Sequence, residues 1–153
     1  FHPPQELFEA LLEAAERGVK IEIITNRDGE KAPLSHSGFA DLSEWYWRQL
    51  LASDGGGSVS VHTYHVDHTT LHKKVVLIDR EIAFIGSSNI GWKSLEGNDY
   101  EVNMKVVSKS FCKQTAKILR KTRKTAIEVE GYAPPSLLTR IHACWQSCTS
   151  FIL

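Results

Sequence analysis

Apolar residues recur along this chain with two different periods, and the switches between them mark out its elements. In PPQELFEALLEAAERG (3–18), Leu7, Phe8, Leu11, Leu12 and Ala15 fall three and four apart, the spacing of one helical face. Proline opens that run and Gly18 closes it, as helix starts and stops favour. VKIEIIT (19–25) then alternates and predicts a strand. A second helix is predicted over ADLSEWYWRQLLAS (40–53), with Leu42, Trp45, Tyr46, Leu50 and Leu51 inward; Trp45, Tyr46 and Trp47 read mostly as core, though Trp47 could sit at a lipid interface. The polar stretch 26–40 is long for a connector and reads as a rim or lid. DGGGS (54–58) is a turn, and VSVHTYHV (59–66) alternates as a strand.

Further on, LHKKVVLIDREIAFIGSSN (71–89) breaks the simple pattern. Val75 to Ile78 are apolar on both parities, as is IAFIG, which predicts two central strands covered on both sides. A hairpin turning at Arg80–Glu81 would set Lys74 opposite Ser87 and His72 opposite Asn89. Polar groups would then gather on one face at one end of the sheet. DYEVNMKVVS (99–108) predicts a further strand, adding Glu101 and Asn103 to that face while Tyr100, Val102 and Met104 turn away. SFCKQTAKILRKTRKTAIEV (110–129) reads as a helix with Phe111, Ala116, Ile118 and Leu119 inward and a basic outer face. In the tail, Leu138, Ile141, Trp145, Cys148 and Ile152 are spaced as an amphipathic helix. The expected fold class is α/β, with a mixed sheet between helices.

The residues His72, Lys74, Asp79, Gly86, Ser87 and Asn89 reproduce H-x-K-x4-D-x6-G-S-x-N, and in this the chain resembles the phospholipase D superfamily. The flanks FHPPQELFEALLEAAERGVKIEIIT and LEGNDYEVN, and the apolar tail, are similar to the second half of bacterial cardiolipin synthases. The resemblance implies an α/β/α sandwich with a central mixed sheet, one half of a two-lobed enzyme. Residues 1–130 would be the catalytic half-domain and 131–153 an amphipathic tail. It further implies metal-independent exchange at a phosphodiester through a phosphohistidine, without a cofactor. In two-motif relatives the second histidine serves as acid and base, the role His72 would take.

The residue types suit that chemistry. An imidazole can protonate a leaving alkoxide and then deprotonate an incoming alcohol. Lys74 supplies the positive charge on phosphate that a metal would otherwise bring, and Ser87 and Asn89 supply neutral polar contacts. Glu101 can orient a histidine by accepting its other ring proton. Asp79, on the opposite parity, reads as structural. Because the mechanism asks for two histidines, the single motif calls for the missing first half or a second identical chain. The opening FHPPQELF lacks an initiator Met and a leading strand, so the missing half is the preferred expectation.

Composition narrows the substrate. Eighteen Lys and Arg balance 18 Asp and Glu, which disfavours a nucleic-acid partner, and only KILRKTRK (117–124) is locally basic. That run reads as a solvated helix face that could also attract anionic lipid. Three cysteines without a CxxC pair suggest neither a disulfide framework nor a zinc ribbon. His62 and His65 alternate faces, which argues against a metal site in His62, His65, Asp67 and His68; a rim role suits His65 and His68 better. Cys144 and Cys148, one helical turn apart, read as buried small residues. No apolar run reaches the roughly 18 residues of a membrane span, and no signal peptide is visible. The expectation is a peripheral enzyme of the bacterial cytoplasmic membrane acting on phospholipid. A homodimeric phospholipase D or nuclease, or a non-catalytic half-domain, is the alternative.

Overall fold

The computed structural model describes residues 1–26, 34–53, 58–64, 66, 69–97 and 99–129, with the backbone alone at 34–42. The first helix, α1 (Gln5–Glu16), starts behind Pro4 and ends at Arg17 and Gly18. Gly18 takes a φ of 77°, and its N–H donates to the Ala15 carbonyl at 2.9 Å, a left-handed stop that costs glycine little. The chain then runs through β1 (Ile21–Asn26), α2 (Leu34–Ser53), β2 (Val59–Tyr64), β3 (Val75–Ile78) and β4 (Ile82–Gly86). A single-turn helix, α3 (Trp92–Leu95), leads to β5 (Asn103–Val107), α4 (Lys109–Arg123) and β6 (Ala126–Glu128).

The strands form two three-stranded sheets instead of the one central sheet expected. β1 and β2 are parallel, and β6 joins β2 antiparallel. β3, β4 and β5 form an antiparallel meander. Where β1 ends, side chain replaces ladder: Asn26 Nδ2 donates to the Leu71 carbonyl at 2.9 Å, and the Leu71 N–H donates to Asn26 Oδ1 at 2.8 Å. One amide thus makes both bonds of a β-bridge and ties the first sheet to the segment entering β3.

The main core lies where α1 and α2 cover the first sheet. Phe8, Ala15, Trp47, Leu50, Val59 and Val61 are buried together. Phe8 meets Tyr46 edge-on at 4.8 Å between centroids, and Tyr46 meets Trp45 likewise at 4.9 Å, contacts worth about 0.5–1.5 kcal/mol each beyond their burial. Trp47, read with its aromatic neighbours as mostly core, is buried here, with the Arg48 guanidinium 5.0 Å from its ring centre. Val59 and Val61 face these helices, and His62, of the opposite parity, is buried on the other side.

Helix α4 packs across β2, β3, β4 and β6. Its buried residues are Cys112, Thr115, Ala116 and Thr122, whereas Phe111 and Ile118, expected inward, are exposed. Small side chains at this spacing let the helix lie close to the sheet, which leaves the large apolar ones at its flanks. The predicted helix also overran. It stops at Arg123, and residues 126–128 pair with β2 because β2 still has an open edge to fill. α2 begins at Leu34, so the second half of the expected rim is helix.

Candidate active site

The hairpin carrying the motif departs from the expected register by one residue. Ile78 pairs with Ile82 and Val75 with Ile85, so Lys74 comes level with Gly86, whose N–H donates to the Lys74 carbonyl at 3.4 Å. The reason lies in the turn. Asp79 and Arg80 both take left-handed conformations, with φ of 51° and 58°, and the Glu81 N–H donates to the Ile78 carbonyl at 3.0 Å. Glu81 is left as an extra residue between the turn and β4. Asp79 tolerates the left-handed region better than most residues do, which suits its reading as the structural member of the motif. Ser87 is thereby displaced from its expected place across from Lys74.

Three anchors hold the His72–Lys74 segment. Asn26 grips Leu71 just before it. Lys73 Nζ donates to Thr122 Oγ1 on α4 at 2.7 Å, and Thr122 is buried. Lys74 Nζ donates to the His72 carbonyl at 3.3 Å. Extended residues alternate sides, so drawing Lys73 toward α4 turns His72 and Lys74 the other way. His72 is exposed and Lys74 half-buried.

Beyond β4, the motif's small residues knit to the start of β5. The Ser87 N–H donates to the Val102 carbonyl at 3.0 Å, the Val102 N–H donates to Ser87 Oγ at 3.0 Å, and Ser87 Oγ donates to a Glu101 carboxylate oxygen. Ser88 is buried; its N–H donates to Asn103 Oδ1 at 3.3 Å, and Asn103 Nδ2 donates back to its Oγ at 2.5 Å. This tight joint explains Gly86. A Cβ there would run into the Val102 carbonyl and the Asn103 side chain and come within 2.7 Å of the Asn103 Cα, a space no other residue fits.

Glu101 titrates below the usual carboxylate range, chiefly because Ser87 donates to it, then through Ser94 and the nearby Lys74 charge, against a small opposing cost of burial. It is therefore an anion at neutral pH. Its carboxylate accepts from Ser87 and not from the His72 ring. Asn89 is exposed, followed by Ile90, whose carbonyl accepts from the His2 N–H at 3.2 Å, while the Trp92 N–H donates to the His2 carbonyl at 3.2 Å.

The structure thus gathers Lys74, Gly86, Ser87 and Glu101 at the end of the second sheet, with His72 beside them along the chain. Asn26, Lys73, Ser88 and Thr122 were missed as supports. The only signal for Lys73 was its place in a strand between two residues of opposite parity. Among the described residues no group of three or more His, Cys, Asp or Glu is placed to hold a metal. His65, Asp67, His68, Cys144 and Cys148 lie outside the described residues.

This arrangement is a phospholipase D-like fold. The structure matches Nuc, a phospholipase D family member from Salmonella typhimurium, with a TM-score of 0.63 at 15% identity, covering 84% of this chain and 76% of that one. NucT from Helicobacter pylori matches with a TM-score of 0.55 at 19% identity, covering 84% and 77%. The family described as "Cardiolipin synthase, PLD-like domain" matches residues 1–123, and the chain belongs to it. Cardiolipin synthase A of Shigella dysenteriae is 32% identical over 111 residues, as is that of Escherichia coli O157:H7. Those 111 residues are 72% of this chain but 20% of each relative, so the chain spans about a fifth of their length. No described helix is long and apolar enough to cross a membrane.

Proposed function

We propose that residues 1–130 are one catalytic half of a phosphatidyltransferase that exchanges phosphodiester bonds in phospholipid synthesis, with 131–153 an amphipathic tail. The observation that carries this reading is the cluster itself: exposed His72, with Lys74, Ser87 and Glu101 drawn together at the sheet end. Lys74 attracts the non-bridging phosphate oxygens. Ser87, held by the Glu101 carboxylate, fixes the wall beside them, and Asn89 adds a neutral polar contact. His72 gives a proton to the departing alkoxide and takes one from the incoming alcohol. A second histidine, from another half or a second copy, attacks phosphorus to form the phosphohistidine. No metal or cofactor is needed. The substrate is phospholipid and the attachment to the bacterial cytoplasmic membrane is peripheral.

The test is phosphatidyl transfer by a chain holding both halves, assayed in chelator. His72→Ala is expected to lower kcat by about 10²–10⁴. No transfer by the intact two-half protein would sink the reading. The likeness to Nuc over most of both chains favours one alternative, a homodimeric hydrolase. A dimer of this chain alone that cleaves a phosphodiester, and loses that activity in His72→Ala, would select it.

A further inference from the structure

Charge on this neutral chain is unevenly placed. Residues 109–124 hold seven of its 18 Lys and Arg and none of its 18 Asp and Glu. Lys109 pairs with Glu81 at 2.9 Å, and Arg123 with Glu22 at 3.0 Å. Lys113, Lys117, Arg120, Lys121 and Lys124 have no ion pair among the described residues, and all are exposed. Their spacing of four, three, one and three sets them on one face of α4. Opposite the face that buries Cys112, Ala116 and Thr122, they form a continuous cationic stripe.

Beside the stripe, on the same helix, stand Ile118, 55% exposed, and Phe111, 37% exposed. Cations flanked by bare apolar side chains fit the boundary of a bilayer, where lysine stems and apolar groups both find hydrocarbon. A nucleic-acid backbone would use the cations and leave Ile118 in water.

We propose that the outer face of α4 docks this domain on an anionic bilayer, its cations at lipid phosphates and Ile118 and Phe111 in the headgroup layer. The proposal rests on the lipid reading above and adds the surface by which lipid is met.

The experiment is flotation of the 153-residue chain with phosphatidylcholine vesicles, with and without phosphatidylglycerol. Binding is expected to require phosphatidylglycerol and to fall steeply with salt. Replacing Lys117, Arg120 and Lys121 together by Ala should weaken it about a hundredfold, roughly fivefold per charge, with an unchanged circular dichroism spectrum. Ile118→Ser should weaken vesicle binding several-fold and leave any binding to a DNA duplex unaltered. The proposal is overturned by wild-type binding indifferent to phosphatidylglycerol, by a folded triple variant that binds as well, or by DNA bound where vesicles are ignored. His72→Ala should float like the wild type, so a failure of catalysis and a failure of docking are separately visible.

Discussion

The two sheets of this molecule are dressed differently. β2 has helices on both faces, and large apolar and aromatic residues close the core of its sheet under α1 and α2. The β3–β4–β5 meander rests on α4 through small residues, Ala83, Cys112 and Ala116. On its other face Val76, Ile78, Phe84 and Val107 are 37–71% exposed, and the register sets them on one side together. Stability is thus concentrated in the sheet without the motif, while the sheet with it stands half-covered. Chemistry-bearing elements tend to come from the less stable part of a fold.

Substitutions can sharpen that contrast. The largest effect is expected in the covered sheet: Leu50, fully buried, replaced by Ala should cost about 2–5 kcal/mol. Phe84→Ala should cost under about 1 kcal/mol, since its ring has much less contact to lose. Denaturant midpoints of the two variants give the comparison directly, and equal losses would erase it.

Gly86→Ala comes next. Forcing a methyl against Val102 and Asn103 should cost about 1–3 kcal/mol. Amide exchange should show the loss concentrated in β4 and β5, with β1 and β2 protected as before.

The last effect, seen only as pH falls, concerns the clip between the two regions. His2, which bonds Ile90 and Trp92 through its backbone, is lowered to about 4, mainly by burial, then by the terminal ammonium and Lys93. The fold holds it neutral, so the unfolded chain takes up a proton first as pH falls below about 6.5. Stability should therefore be intact above that value and decline between about 6.5 and about 4, then level off with respect to this group. His2→Gln should flatten the decline in a pH series of thermal unfolding. An unchanged slope would mean that His2 is not the group responsible.

Much of this was legible in the sequence, for identifiable reasons. α1 announced itself through Pro4 and Gly18, and the motif through six fixed residues, because both are local patterns. The polar face at Glu101 and Asn103 followed from strand alternation. What failed depended on neighbours. Residues 126–128 leave the helix because β2 offers an edge. Phe111 and Ile118 point outward because a close approach to Ala83 selects Cys112 and Ala116 instead. The supports of the site, Asn26 and Thr122, lie far along the chain from His72, and no local pattern connects them to it.

The left-handed pair Asp79–Arg80 acts as a parity setting for the whole hairpin. A strand that slips by one residue exchanges its two faces. With Glu81 counted in the loop, Gly86 is the residue facing Lys74, so the lysine looks across at a position with no side chain. Had the turn closed on Arg80–Glu81 alone, with Asp79 drawn into the strand against Ile82, Ser87 would stand there, Ala83 would leave α4, and Phe84 would take its place beneath the helix. Length in this turn therefore governs more than the identity of its residues. A one-residue slip here would rewrite the wall of the candidate site and the helix contact together, although it starts at the far end of the hairpin from both His72 and Gly86.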